Sequence, residues 1–281
     1  MEKETLDRLG ALAHPNRLAI FRLLVRRCPD RLPAGEIAAV LDLKPSTLSA
    51  YLSALTRAGL VTQSRSGTSL RYGADTAAIR AMLDYLGDDI LRGRADTRLP
   101  ATLQAANQGT APMSAQPFRV LFICTGNSAR SIFAEAILRA EAGDRFEAHS
   151  AGTKPYSELN PFAVQVLRDK GHDTAPLRAK NVAEFQGADA AAFDFVFTVC
   201  DRSANESCPA WKGQPVTAHW GVPDPVKAEG TDAEKSLAFQ QAYGALRNRI
   251  RTFAALPLET LDRVALQRAV DDIAGAAEAG A

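Results

Sequence analysis

The chain carries two different patterns of apolar and polar residues. Within residues 18–55, Leu, Ile, Val and Phe recur every three or four positions, which predicts amphipathic helices around one core. Farther along, the apolar runs 118–124 and 193–199 alternate with helical stretches, as expected of a parallel α/β sheet. The segment 95–116 mixes Pro, Gly, Thr, Gln and Ala without apolar periodicity and is predicted to be a linker. We therefore expect a mainly α domain at 1–94, an α/β domain at 117–275 and a tail at 276–281.

The helical region predicts a pair of helices followed by a β-hairpin. A short helix over 33–41 precedes a turn, and a second helix begins at Pro45, which suits a first helical position, and ends at Arg57. Residues 61–72 then predict two extended arms around a turn at Gly67. This arrangement is typical of a winged helix-turn-helix.

The second helix shows small polar side chains opposite its apolar face. Such side chains allow a close approach to a DNA groove, and arginines in the hairpin reach phosphates. The candidate DNA-binding residues are Ser46, Thr47, Ser49, Ala50, Tyr51, Ser53, Arg57, Arg65 and Arg71. From the pattern alone, the alternative is a helical bundle with a surface hairpin and a solvated Ser/Thr face.

Composition and charge narrow the class of protein. With 46% apolar and 23% charged residues, the 281-residue chain is close to globular averages and long for one core. It has no apolar run of the ~18 residues needed to span a membrane. Glu2 and Glu4 stand where a signal peptide carries basic residues, so we expect a cytoplasmic protein. Residues 1–94 hold 14 Lys and Arg against 10 Asp and Glu, a net charge of +4 that permits contact with nucleic acid.

The first domain resembles the ArsR-type winged-helix repressors. The segments LAHPNRLAIFRLL, LPAGEIAAVLDLKPSTLSAYLSALTRAGLV and SRSGTSLRYG follow the layout of that family across residues 5–90. The resemblance implies a homodimer through this domain, a double-stranded DNA operator and a recognition helix at Ser46–Arg57. Metal-sensing members present clustered cysteines, whereas this domain has Cys28 alone, so we expect no metalloid sensor in it.

A cysteine directly follows the first apolar run of the α/β region. The octet Cys124–Ser131 lies between a predicted strand and a predicted helix, where backbone N–H groups converge and bind a tetrahedral oxyanion. Arg130 adds a planar donor for two oxygens, and this positive field is expected to lower the pKa of the Cys124 thiol. The other loop residues of this candidate site are Thr125, Gly126, Asn127, Ser128, Ala129 and Ser131. A buried cysteine beside an unrelated arginine does not account for the strand–loop–helix context.

Three further residues add chemistry to this loop. Asp224, between two prolines, is the candidate general acid, although Asp-Pro by itself is an ordinary turn signal. Cys200 ends the second apolar run and should lie at the same sheet edge as Cys124, with Cys208 following after a polar segment. Thiol exchange among these cysteines would carry oxidation outward; the alternative is two buried structural thiols. His219 is expected to pack or bond locally.

Residues 117–275 resemble the arsenate reductases of low molecular weight phosphatase fold, through VLFICTGNSARS, AHSAGTKP, FTVCD and HWGVPDP. The resemblance implies a four-stranded parallel sheet, arsenate as substrate and arsenite as product. It also implies that Cys124 is the nucleophile, Arg130 the oxyanion clamp and Asp224 the general acid. Cys200 and Cys208 would form the two-thiol relay. An external dithiol such as thioredoxin resets the relay, and no bound cofactor or metal is expected.

Two details differ among such relatives. Ala129 stands where many of them carry a second loop cysteine, which a reductase relay does not need. Some relatives bind potassium, and Asn127, Glu135 and Ser150 match their pattern, whereas residues 180–184 match it poorly. Potassium is therefore left unassigned.

We interpret the chain as an arsenate reductase fused to a DNA-binding regulator of arsenic resistance. One alternative is a tyrosine phosphatase, for which Cys124, Arg130 and Asp224 suffice. The aromatic pair expected beside the acid of tyrosine-specific relatives is absent from Val226–Ala228. The other alternative is a non-catalytic repressor whose second domain only senses oxyanions.

Overall fold

The computed structural model describes residues 1–90, 117–187, 190–206 and 211–276. The chain separates into two compact units, Met1–Gln104 and Ala105–Ala281. The predicted linker at 95–116 and residues 277–281 of the predicted tail lie outside the described residues. None of the described helices combines the length and the apolar character required to cross a lipid bilayer.

Helices and a small antiparallel sheet build the first unit. Its elements are α1 (Glu2–Leu12), α2 (Pro15–Arg26), β1 (Leu32–Pro33), α3 (Ala34–Leu41), α4 (Pro45–Arg57), β2 (Val61–Ser66), β3 (Ser69–Ala74), α5 (Thr76–Tyr85) and a π-helical turn (Leu86–Ile90). The strands lie in the order β1-β3-β2.

The predicted helix pair and hairpin are confirmed. After α4 the chain turns at Gly59, whose φ of 70° is left-handed and therefore favours glycine. Strands β2 and β3 pair from Val61 opposite Ala74 to Ser66 opposite Ser69, which leaves a tight turn between them. The helices close over an apolar core that includes Ile20, Leu24, Ile37, Leu48, Leu52 and Leu55. The first unit is thus a helix-turn-helix with a wing.

A parallel sheet between helices forms the second unit. Its elements are β4 (Phe118–Cys124), α6 (Arg130–Ala142), β5 (Phe146–Gly152), α7 (Pro161–Asp169), β6 (Phe195–Thr198), α8 (Asp201–Asn205), β7 (Val216–His219), α9 (Asp232–Ala254) and α10 (Arg263–Ala276), with 3₁₀ turns at Val182–Phe185 and Pro225–Lys227. The sheet has four strands in the order β5-β4-β6-β7, and all three neighbouring pairs are parallel. The predicted fold class is confirmed.

Strand β4 is buried on both faces. Val120 and Phe122 join the large core that also contains the helices, whereas Leu121 and Ile123 join a smaller cluster around Phe193. Successive side chains of a strand point to opposite faces, so a strand covered on both sides is apolar along its buried length. This explains why the run 118–124 shows no polar alternation. Arg119, near the start of β4, is partly exposed and pairs with Glu147.

The order of the strands reverses at the candidate site. Strand β4 is the first of the sheet in sequence, and its neighbours β5 and β6 lie on opposite sides of it. In such a sheet, ligands bind beyond the carboxyl ends of the strands at the point where the strand order reverses. Cys124 ends β4, and Cys200 follows β6 by two residues. Strand β6 is shorter than the predicted run 193–199.

Candidate active site

The loop Cys124–Ser131 turns sharply between β4 and α6. Its backbone carbonyls at Cys124, Thr125 and Gly126 accept hydrogen bonds from the N–H groups of residues 153, 154 and 156 at 2.9–3.1 Å. Asn127 has a positive φ of 44°, the conformation that asparagine tolerates better than most residues. The segment after β5 therefore holds the loop through its main chain.

Two glycines make room for this contact. A Cβ on Gly126 would lie 2.5 Å from the ring of Tyr156, and a Cβ on Gly152 would lie 2.7 Å from the backbone oxygen of Thr125. The Tyr156 side chain is exposed and covers the loop at its rim. The obstacle at Gly126 is a side-chain ring that can move, whereas the obstacle at Gly152 is backbone.

The sulfur of Cys124 is buried and receives hydrogen bonds from its own loop. The backbone N–H of Asn127 donates to it at 3.1 Å, and the Oγ of Ser131 lies 2.9 Å away. The residue is 3% exposed. The loop thus surrounds the sulfur with polar partners.

The expected lowering of the Cys124 pKa is wrong for this structure. Burial raises the pKa of the thiol above its ordinary value, and the nearby Cys200 raises it further. Hydrogen bonding from Ser131 and the charge of Arg130 lower this pKa, but by less. The physical reason is desolvation of the thiol in the core, which outweighs the positive charge of Arg130. Arg130 itself faces a carboxylate.

That carboxylate belongs to Asp224. Arg130 Nη2 lies 2.9 Å from Asp224 Oδ2, and Nη1 donates to the backbone oxygen of Val222 at 3.1 Å. Asp224 also caps the following 3₁₀ turn by accepting from the N–H of Val226 at 3.3 Å. The structure brings the predicted clamp and the predicted acid together as an ion pair at the loop.

Cys200 lies at the same edge of the sheet as Cys124. Its Sγ is 3.5 Å from Thr125 Oγ1 and 3.2 Å from Ser203 Oγ, and the residue is 2% exposed. It also forms the N-cap of α8 by accepting from the N–H of Ser203. Cys208, the other predicted relay thiol, lies outside the described residues.

A polar network behind the loop was only partly predicted. Asn127 Nδ2 donates to Ser131 Oγ and to Ser150 Oγ, both at 2.8 Å, and Ser150 donates to Glu135. Lys180 completes the network and was not predicted, because an isolated lysine between Ala179 and Asn181 carries no sequence signal. The remaining loop residues, Ser128 and Ala129, are buried at the start of α6.

His219 bonds locally, as expected. It is fully buried, and its Nδ1 lies 2.8 Å from Thr198 Oγ1.

The candidate DNA-binding residues lie on α4 and the wing of the first unit. Ser46, Ser49, Ala50, Ser53, Arg57, Arg65 and Arg71 are exposed, whereas Thr47 and Tyr51 are half-buried. Tyr51 packs on His14 with ring centroids 4.8 Å apart. Cys28, after α2, has its sulfur 3.5 Å from the carbonyl of Leu24.

Comparison with known proteins identifies the second unit. Residues 119–266 match the profile of the low molecular weight phosphotyrosine protein phosphatases. An arsenate reductase of Halalkalibacterium halodurans is 36% identical over 137 residues, which are 48% of this chain and 94% of that protein. The chain belongs to the low molecular weight phosphatase family and groups with its arsenate reductases. A second relative of this family, the arsenate reductase of Bacillus subtilis, is 34% identical over 135 residues, with the same shares of 48% and 94%.

This family member carries an additional N-terminal domain. Residues 12–64 match the profile of a helix-turn-helix domain. A solved arsenate reductase from Archaeoglobus fulgidus is 25% identical and covers 49% of this chain and 99% of its own, with a TM-score of 0.40. A thioredoxin-dependent arsenate reductase from Corynebacterium glutamicum is 22% identical and covers 78% and 90%, with a TM-score of 0.37. The two profile matches show that the chain joins a helix-turn-helix domain to a low molecular weight phosphatase domain.

Proposed function

We propose that the second domain reduces arsenate to arsenite with its cysteines and that the first domain binds operator DNA. The observation that carries the reductase proposal is the position of Cys200. Its sulfur is buried beside the Cys124 loop, 3.5 Å from Thr125 Oγ1. A phosphatase needs one thiol at this site, whereas a reductase needs a second thiol close to the first.

The reaction begins with attack of the Cys124 thiolate on the arsenic of arsenate. Arg130 leaves Asp224 and binds two oxyanion oxygens, while the loop N–H groups bind the third. Asp224 then acts as the general acid. It protonates the departing oxygen, which leaves as water, and a sulfur–arsenic bond forms.

The second step transfers two electrons to arsenic. The Cys200 thiolate attacks the sulfur of Cys124 and forms a disulfide, and the electron pair of the sulfur–arsenic bond stays on arsenic. Arsenic(V) becomes arsenic(III) and leaves as arsenite. Cys208 then attacks Cys200, which frees Cys124 as a thiolate and leaves a Cys200–Cys208 disulfide.

A dithiol outside this chain must reduce that disulfide. We assign this role to a thioredoxin-type protein, which carries two exchangeable thiols. Such a cycle requires the reducing environment of the cytoplasm. The test incubates the purified full chain with arsenate, thioredoxin, thioredoxin reductase and NADPH and follows the nicotinamide absorbance. Sustained NADPH consumption with arsenite formation supports the proposal. Hydrolysis of aryl phosphate without arsenite formation favours a phosphatase.

DNA binding is proposed for a domain spanning residues 1–94, with 95–116 as linker and 117–275 as the reductase domain. The exposed small polar face of α4 fits a recognition helix, and the exposed Arg65 and Arg71 fit phosphate contacts from the wing. A regulator of arsenic resistance, of ArsR type, is the role that this combination favours. Footprinting on DNA upstream of its own gene tests it: protection of a discrete site is expected, and uniform weak binding contradicts the proposal.

We also propose that the first domain forms the homodimer. Exposed apolar side chains lie on two helices that pack on each other, α1 and α5, or directly after α5: Leu6, Leu9, Leu83 and Ile90. Leu6 and Leu9 are neighbours on one helix face, and such a patch is typically covered by a partner. A twofold dimer presents two recognition helices to two half-sites. Sedimentation of the full chain and of a Leu6→Glu/Leu9→Glu variant tests this, with a dimer expected for the first and a monomer for the second.

A further inference from the structure

A buried ion pair lies directly behind the Cys124 loop. Lys180 Nζ is 2.9 Å from Glu135 Oε2, and the two side chains are 8% and 3% exposed. The other oxygen of Glu135 accepts from Arg139 Nη2 at 2.6 Å. Charges this deeply buried carry a large desolvation cost and are retained only with partners. Because the Glu135 carboxylate faces two cations, it acts in the network as an acceptor.

The orientation of the Asn127 amide follows from a main-chain contact. The backbone N–H of Lys180 donates to Asn127 Oδ1 at 2.7 Å, and an N–H group can only donate. The amide nitrogen of Asn127 must therefore face Ser131 and Ser150, and it donates to both at 2.8 Å. Lys180 thus fixes the amide with its main chain and faces Glu135 with its side chain.

These contacts leave one direction for the serine protons. Ser150 accepts from Asn127 and donates its own proton to the Glu135 carboxylate. Ser131 also accepts from Asn127, so its proton is available for the Cys124 sulfur 2.9 Å away. Every polar group between the Glu135 carboxylate and the Cys124 sulfur then has a hydrogen-bond partner. A single arrangement of the protons satisfies all of them.

We propose that Lys180 is a positioning residue for the Cys124 nucleophile. Its ammonium holds Glu135 as an acceptor, and its backbone N–H orients Asn127. Together they direct the Ser131 hydroxyl proton to the sulfur and favour the thiolate. This inference rests on the proposed role of Cys124, but its test measures the thiol without arsenate, so the two proposals fail separately.

The same ammonium takes the place of a metal cation. Asn127, Glu135 and Ser150 match the potassium pattern of some relatives, yet Glu135 Oε2 is already occupied by Lys180 Nζ and Ser150. A monovalent metal ion therefore does not fit this donor set. The reactivity of Cys124 in the full chain should be the same in sodium, potassium and tetramethylammonium chloride at equal ionic strength. A specific increase in potassium would contradict the proposal.

The first variant removes the ammonium but keeps the length of the side chain. Lys180→Met is compared with Lys170→Met, which removes an exposed lysine at the end of α7. The rate of Cys124 alkylation by iodoacetamide is followed across pH by peptide mass spectrometry. The other groups that act on this sulfur, Arg130 and Cys200, are unchanged. We expect the pH midpoint to rise by about one unit in Lys180→Met only, which makes alkylation about tenfold slower near neutral pH.

Two further variants separate positioning from stability. Lys180→Met/Glu135→Met replaces the ion pair by apolar side chains, which avoids an unpaired buried charge but leaves Ser150 without its carboxylate acceptor. It should keep the raised midpoint; a wild-type midpoint would show that the pair is structural only. In a Ser131→Ala background, Lys180→Met should no longer change the midpoint. Independent, additive effects of the two substitutions would overturn the proposal.

Discussion

The ion pair between Arg130 and Asp224 predicts that replacing Asp224 has opposite effects on oxyanion binding and on the rate of the chemical step. The carboxylate lies 2.9 Å from the guanidinium, and the side chains are 13% and 27% exposed. An oxyanion that binds the loop must compete with Asp224 for Arg130. Asp224→Asn removes the competing charge but also removes the proposed general acid. We expect tighter binding of the oxyanion and slower chemistry in the same variant.

The geometry gives the size of the binding effect. Two unit charges about 4 Å apart interact by about 1 kcal/mol in water and about 4 kcal/mol at an effective dielectric constant of 20. Asp224 is more than a quarter exposed, so the lower half of this range applies. Loss of a competing Arg130–Asp224 interaction of about 1–2 kcal/mol tightens anion binding by about 5–30-fold. Loss of a general acid slows the chemical step by about 10²–10⁴-fold.

Calorimetry separates the two effects. Phosphate binding is measured in the full chain carrying Cys124→Ser, with and without Asp224→Asn, and arsenite release in a single turnover is measured with Cys124 present. Asp144→Asn, an exposed position outside the site, provides the same change in net charge. Weaker or unchanged phosphate binding in Asp224→Asn, or the same tightening in Asp144→Asn, would refute the conclusion that Asp224 and the oxyanion compete for Arg130.

Further predictions concern the relay, the loop, the thiol and the wing. Cys200→Ser should release no arsenite, because the reaction stops at the sulfur–arsenic adduct, and Cys208→Ser should stop after one turnover at the Cys124–Cys200 disulfide. Both variants should continue to hydrolyse aryl phosphate, as seen by parallel assays of arsenite and phosphate release; full multiple turnover in Cys208→Ser would show that the relay ends at Cys200. Gly152→Ala should destabilise the second unit by about 1–3 kcal/mol in denaturant unfolding, because its Cβ meets backbone, whereas Gly126→Ala meets a movable ring and should cost less. Because burial raises the pKa of the Cys124 thiol, its alkylation without anion should keep rising with pH beyond the range of an ordinary cysteine near 8.5; a plateau below about pH 7 would contradict this. Arg65→Ala/Arg71→Ala should weaken operator binding and reduce the slope of log K against log salt by the equivalent of about two phosphate contacts. An unchanged salt slope in gel-shift titrations would exclude the wing from phosphate contact.

The sequence was informative where local pattern decides structure. The helical spacing within 18–55 predicted the helix pair, and Pro45 marked the start of α4. The octet Cys124–Ser131, between an apolar run and a helix, located the site. The reason is that the backbone N–H groups of a strand–loop–helix junction converge on one point. The parallel sheet followed from continuous apolar runs, since a strand covered on both faces has no room for polar alternation.

The parts that were not predicted depend on contacts between distant segments. Lys180 is 45 residues from Glu135, and no local signal joins them. The pKa of Cys124 was expected to fall because the loop carries Arg130 and converging N–H groups. The desolvation that raises this pKa comes from the whole core, and Cys200, which raises it further, lies 76 positions later in the sequence. Strand β6 begins at Phe195, two residues after the start of its apolar run, and Phe193 contributes to the smaller cluster from outside the strand.

The central proposal is that Cys124 passes oxidation from arsenate to a second thiol. The most direct measurement is the mass spectrum of the full chain after a single addition of arsenate without external reductant. We predict one arsenite released per chain and an internal disulfide that involves Cys200, with neither product in Cys124→Ser. Arsenate left unreduced by the fully reduced wild-type chain, or arsenite formed equally by Cys124→Ser, would contradict the account.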